Sequence, residues 1–308
     1  MTGDPSSVRR PAVAGSFYPA DARLLERTVD QCVATAERVD RERAERLAAG
    51  SGAGGATPVG PAPLGILVPH AGLVYSGAVA AAAWRRVAAD PPGSVVLLGT
   101  NHRASWLDGV GAWDAGCWET PLGPVEVDAE LAERIVRLGT PFRTDRAAHL
   151  EEHSLEVQLP FLRRLLPSTR VVPLSVAAGT GRGAIEAGRR LGELLADRAR
   201  TGERLLVAIS TDAAHYPSAT LAERINERLA PAIEAVDAAS VAKVEARIVA
   251  DGGPGLACGM CGIQPTVLGL SAVRSMGASA GSLVATATSA DAGGGWARTV
   301  GYLATVFA

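Results

Sequence analysis

Five histidines and four cysteines are the residues of this 308-residue chain best suited to hold a metal or move a proton, and three of the histidines fall in equivalent places. His70 follows the apolar run LGILV and Pro69, His102 follows SVVLLG with Thr100 and Asn101, and His215 follows RLLVAIS with Thr211, Asp212, Ala213 and Ala214. One imidazole at the end of an apolar run is usually a hydrogen-bonded structural residue. Three of them at corresponding points indicate a shared site. A fourth segment, ACGMCGIQP (257–265), sets Cys258 and Cys261 ahead of a stretch with helical spacing. Backbone N–H groups and the helix dipole favour a thiolate there, so this segment could close the same pocket.

The other two histidines lie in AAHLEEHSLEVQLPFL, where His149, Glu152 and His153 spell H-x-x-E-H. On a helix, positions i and i+4 share a face, so both imidazoles could grip one zinc with Glu152 as base, the arrangement of a zinc hydrolase. Against this, the sequence identifies no acidic third ligand, and the strongest helical pattern begins at Ser154, after both histidines. The competing reading leaves His149 as a solvated loop residue. It sets His153 between Glu152 and Glu156, a buried carboxylate and imidazole pair that orients metal ligands. Cys258 and Cys261 also spell C-x-x-C, but a thioredoxin-like redox motif follows the first strand of a smaller domain, whereas this one lies late among glycines. Cys32 falls in a helical pattern as a small buried hydrophobe, and nothing in the sequence suggests a partner for Cys117. The glycines of PHAGLVYSG match neither a dinucleotide fingerprint nor a phosphate-binding loop.

The elements that must position these residues alternate along the chain. Short aliphatic runs bounded by Gly or Pro at 64–68, 94–99, 170–176, 204–210 and 282–288 predict strands covered on both faces. Helical spacing occupies 20–47, 76–89, 128–138, 154–166, 182–199, 219–249 and 263–275. The alternation predicts one α/β domain over residues 1–308, with a layered, largely parallel or mixed central sheet flanked by helices. The Gly-, Ala- and Pro-rich stretch 48–63 predicts a mobile surface loop. Ligands of such a sheet bind beyond the carboxyl ends of its strands, where His70, His102 and His215 stand.

Composition narrows the class. Forty-seven per cent hydrophobic residues are ample for a core, and 30 basic against 32 acidic residues leave a net charge of −2, no field to draw in nucleic acid or an anionic membrane. The N-terminus lacks an apolar stretch of signal-peptide length, and no window reaches the roughly 20 apolar residues needed to cross a bilayer. The expected location is the cytoplasm, and the expected partner a small-molecule substrate or a peptide. Four cysteines are too few and too unevenly spread for a disulfide framework.

Taken in order, AGSFYPAD (14–21), LVPHAGLVYSG (67–77), LLGTNHRAS (97–105), WETPLGPVEVD (118–128), EEHSLEVQLPFL (151–162), ISTDAAHYPS (209–218) and CGIQP (261–265) resemble the motifs of the Memo family. Its bacterial members are often called AmmeMemoRadiSam system protein B. The resemblance implies a fold like that of the class III extradiol dioxygenases and a pocket able to hold iron(II) or copper, with zinc also admitted. It implies His70, His102 and Cys261 as metal ligands, Asp212 and His215 as pocket residues, His215 standing where the dioxygenases keep an acid/base histidine, and His153 as the histidine of E-H-S-x-E. The chemistry implied is redox or dioxygenase-type conversion of a small molecule; a binding protein that uses the same pocket without turnover is the alternative. The family's common name further implies a functional association with a radical SAM protein. Two features depart from the family pattern: Asn101-His102-Arg103 replaces Ser-His-His, and Cys258 adds a second thiol that could compete for metal or pair with Cys261.

Overall fold

The computed structural model describes residues 7–51, 62–181 and 183–308. Among these residues the strands are β1 (Val8–Arg9), β2 (Gly65–Val68), β3 (Ser94–Thr100), β4 (Val110–Ala112), β5 (Cys117–Trp118), β6 (Val125–Glu126), β7 (Phe142–Thr144), β8 (Arg170–Val176), β9 (Leu205–Ser210), β10 (Gly281–Thr288) and β11 (Gly301–Phe307). The α-helices are α1 (Ala22–Ser51), α2 (Leu73–Val87), α3 (Ala129–Val136), α4 (Leu159–Leu165), α5 (Gly183–Ala199), α6 (Ala219–Glu234), α7 (Ala238–Asp251) and α8 (Ile263–Met276).

Every residue of β2, β3 and β9 is buried, which is why their sequences are apolar without alternation. These strands and β8 run parallel in the order β2-β9-β3-β8 at the centre of an eight-stranded sheet ordered β10-β11-β2-β9-β3-β8-β4-β7. Antiparallel pairing joins β11 to β2, β10 to β11 and β4 to β8, so the sheet is mixed. β1, β5 and β6 form a small separate sheet.

Side chains alternate across the central strands and feed two cores. Leu67, Val96, Leu98, Val207 and Ile209 face one side, with α3, α5, α6, α7 and α8 packed over them. Ile66, Val68, Val95, Leu97, Leu206 and Ala208 face the other side, under α1, α2 and α4. The molecule is therefore layered α/β/α, as the alternation predicted. No helix among the described residues is long and apolar enough to cross a membrane.

Local differences have physical causes. The predicted helix 219–249 is two helices, because Val236 adopts φ +51° and Asp237 caps a new start by accepting from the Ser240 N–H. The predicted helix 154–166 begins as a 3-10 turn, Glu156–Gln158, and becomes α-helical from Leu159 with Pro160 in its first turn. The run 282–288 is an edge strand, β10, in which only Val284 and Thr288 are buried, rather than a strand covered on both faces. Of the predicted loop 48–63, residues 52–61 lie outside the described residues, and 48–51 belong to the end of α1.

Candidate metal centre

The carboxyl ends of three parallel strands converge on one pocket. β2 ends two residues before His70, β3 ends two residues before His102, and β9 ends at Ser210, directly before Thr211 and Asp212. α8 begins two residues after Cys261, which brings the thiol in from the other layer. The turn between two 3-10 helices, Arg146–His149 and Glu156–Gln158, adds Glu152 and His153.

His70, His102 and His153 form the centre: one ligand atom from each lies within 4.8 Å of the others. The rings of His102 and His153 stack at 4.6 Å and 25°, and His70 stands edge-on to both at 5.5 and 5.4 Å. Each ring has a polar partner at Nδ1. Glu152 Oε1 lies 2.9 Å from His102 Nδ1 and 3.2 Å from His153 Nδ1, so a carboxylate faces Nδ1 of both rings and Nε2 is the nitrogen left to face a cation. The Ser210 hydroxyl gives its proton to the Ser154 carbonyl at 2.5 Å, so it accepts at 3.2 Å from His70 Nδ1–H. All three imidazoles thus have a polar partner at Nδ1, the usual arrangement behind a metal-binding histidine. His70 is 1% exposed, and burial pushes its pKa down to about 4, so it is neutral at physiological pH.

Glu152 is itself fully buried and held by backbone donors: His102 N–H at 2.5 Å, and His153 and Ser154 N–H each at 2.9 Å. Burial alone would raise its carboxyl, but the hydrogen bonds from His102 and His153 outweigh that and keep it below the ordinary glutamate range. It is a carboxylate that orients two rings.

Cys261 Sγ lies 3.3 Å from His70 Nε2. The expectation of a thiolate at this helix start is corrected: burial, reinforced by Asp212, pushes the thiol well above its ordinary pKa, so the group is S–H until a cation displaces the proton. Cys258 is a free thiol, its pKa raised by burial to about 11, and Cys261 is free as well. Asp212 accepts the His70 and Ala71 N–H groups through Oδ1 at 2.7 and 3.2 Å. His215 Nε2 stands 3.8 Å from Asp212 Oδ2 and is buried with no hydrogen-bond partner.

His149 lies elsewhere. Its Nε2 donates to the Gly111 carbonyl at 3.0 Å, and its ring packs edge-on against Trp113 and Trp118 in a fully buried position. It closes a 3-10 helix followed by a turn, so His149 and His153 do not share a helix face as a zinc-hydrolase motif requires.

Sequence reasoning brought His70, His102, Cys261, Asp212, His215, Glu152 and His153 into one region but did not find two residues that orient it. Ser210, a buried hydroxyl closing an apolar strand, fixes the tautomer of His70. Gln158, also buried, donates to Ser210 Oγ at 3.0 Å and to the Pro69 carbonyl at 2.8 Å, and accepts from Trp84 Nε1. A polar residue inside an apolar strand was the available signal for the first.

Comparison with known proteins covers nearly the whole chain. Residues 9–306 match the family model described as Memo-like protein. A MEMO1 family protein of Methanopyrus kandleri is 37% identical over 303 residues, covering 97% of this chain and 98% of its own length. A MEMO1 family protein of Aquifex aeolicus is 35% identical over 304 residues, covering 97% and 99%. Among solved structures, an uncharacterized protein of Escherichia coli K12 aligns with TM-score 0.49 and 16% identity over 79% of this chain and 99% of its own. Matched by the family model over residues 9–306 and 35–37% identical to these two MEMO1 family proteins over 97% of its length, the chain belongs to the Memo family.

Proposed function

We propose that this chain binds one transition metal through His70, His102 and Cys261, with His153 as a further donor, and uses it for redox or oxygen chemistry on a small molecule. The observation that carries the proposal is the cluster itself: one ring nitrogen each of His70, His102 and His153 lies within 4.8 Å of the others, and the Nδ1 of each ring has a polar partner that sets its orientation. A set of imidazoles with one thiol is softer than two histidines and a carboxylate, and it suits iron(II) or copper, with zinc as the redox-inert occupant. When bound, iron or copper supplies one-electron chemistry and activation of dioxygen.

The chain's own residues supply the rest. Glu152 and Ser210 hold the rings, and the Asp212 carboxylate fixes the turn after β2 through two N–H groups. His215, with its unpartnered Nε2 beside Asp212, is the group placed to take or return a proton.

The test is metal content by mass spectrometry on protein purified without oxygen, for wild type, His70→Ala and Cys261→Ser. Near-stoichiometric iron or copper in wild type and its loss in both variants supports the site. A wild type that stays empty after anaerobic reconstitution with Fe(II) or Cu(I) removes the metal reading and leaves a binding pocket. Once a substrate is found, His215→Ala slows turnover and spares metal content; unchanged turnover takes His215 out of the mechanism.

A further inference from the structure

We infer that Arg9 and Phe17, in the segment before α1, are positioning residues for the candidate metal centre, acting through His153. The inference rests on the metal-binding reading above and concerns residues outside the donor set.

Arg9 is 0% exposed although it carries a full charge. Its planar fork reaches three acceptors on the turn that bears Glu152 and His153. Nε donates to the His149 carbonyl at 2.8 Å, Nη2 to the Glu152 carbonyl at 2.6 Å, and Nη1 to Glu156 Oε2 at 2.7 Å. The Glu152 carbonyl and the His153 N–H belong to one peptide group. Arg9 holds the oxygen of that group, and Glu152 Oε1 holds its N–H at 2.9 Å. The plane from which His153 hangs is therefore pinned at both edges, which fixes where its ring can point.

Glu156 completes the clamp from the other side. Fully buried, it accepts the Ala12 and Val13 N–H groups at 2.8 and 3.0 Å and the Tyr18 hydroxyl at 2.5 Å, tying residues 9–18 to the turn. The same segment delivers Phe17, whose ring lies 4.7 Å from that of His153. Trp118 covers the guanidinium at 4.1 Å. A buried ion pair of this kind is a poor source of stability compared with apolar packing, so what it contributes here is geometry. Lysine cannot replace it, since a compact ammonium does not span three acceptors set at the angles of a guanidinium fork.

The experiment titrates Co(II) into metal-free wild type, Arg9→Lys and Phe17→Leu, following the visible absorption bands that report coordination, with thermal unfolding of each apo protein alongside. Both variants are expected to bind Co(II) about 10-fold more weakly, the scale seen when a residue that orients a ligand is lost, and to show shifted bands. Wild-type affinity and bands in both variants, with only the unfolding temperature lowered, would make Arg9 and Phe17 purely structural and overturn the inference. If Arg9→Lys does not fold, Tyr18→Phe, which loosens the clamp at Glu156 and leaves the ion pair in place, is titrated in its stead and decides for the clamp while Phe17→Leu decides for the ring contact. Failure of wild type to bind Co(II) strikes the metal reading itself, a result distinguishable from failure of this inference.

Discussion

At the scale of single residues, the site depends on protons being in particular places. The Glu152 carboxylate accepts from two ring nitrogens and three backbone N–H groups, a load that only two anionic oxygens can carry. Glu152→Gln turns one of those oxygens into a donor facing donors. Expected outcomes are a 10- to 100-fold loss of metal affinity and a destabilisation of about 1–3 kcal/mol, read by metal titration and urea unfolding. Acid sensitivity follows from two other residues. Burial holds His70 near pKa 4 and His149 near 3, and Arg9 adds to the effect on His149; both values lie below the roughly 6.5 of an unfolded chain. As pH falls below about 6.5 the unfolded chain takes up two protons that the folded one refuses, so stability is full above that pH and is lost as pH drops toward 4. The slope near pH 5 is about 2–3 kcal/mol per unit. In metal-free protein, His149→Gln removes one of the two protons and roughly halves the slope; an unchanged urea midpoint from pH 7 to 5 in wild type contradicts this account. The neutral, ligand-ready state of His70 was not legible in the sequence, because it depends on burial beneath residues distant along the chain.

At the scale of elements, most of the pocket follows from where strands stop. Apolar runs locate β2, β3, β8 and β9 to within a residue or so, and once these are parallel, His70, His102 and Asp212 must share an edge. The turn from His149 to Ser154 was less legible: its path depends on Arg9, 143 residues from Glu152, and no local pattern encodes that contact. Hence the sequence pairs His153 with Glu152 but does not place its ring in the cluster. β4 and β7 are three residues each, too short to carry a period, and β11 shows itself as the partner of β2 only when the chain end returns. The start of α8 offers a sharper test. A Cβ on Gly262 would sit 2.5 and 2.6 Å from Thr211 Oγ1 and Cβ, a branched side chain wedged at the end of β9. Gly262→Ala must push α8 off β9 and carry Cys261 with it. The expected cost is about 1–3 kcal/mol in urea unfolding, together with faster modification of Cys261 by a thiol reagent; wild-type values of both would show that α8 yields without moving the thiol.

At the scale of the whole molecule, the donors tie the two layers together. Cys261 precedes α8, which packs in one core, while Leu155, two residues from His153, packs in the other, and His70 and His102 leave the sheet between them. His70 and Cys261 are 191 residues apart in the chain. An unfolded chain does not hold such donors together, so a metal at this site binds the folded state almost exclusively and its binding energy adds to folding. At a free metal concentration 100 times the dissociation constant this amounts to about 2.7 kcal/mol. For a chain of 308 residues, with about 2.1 cal/mol/K of unfolding entropy per residue, that raises the unfolding temperature by about 4 °C. The shift is expected in wild type and in His149→Gln, whose altered ring lies against Trp113 and Trp118, away from the cluster. It should vanish in His102→Ala. A shift that persisted in His102→Ala would place the metal elsewhere on the surface, and one lost in His149→Gln would restore the H-x-x-E-H motif as the ligand set.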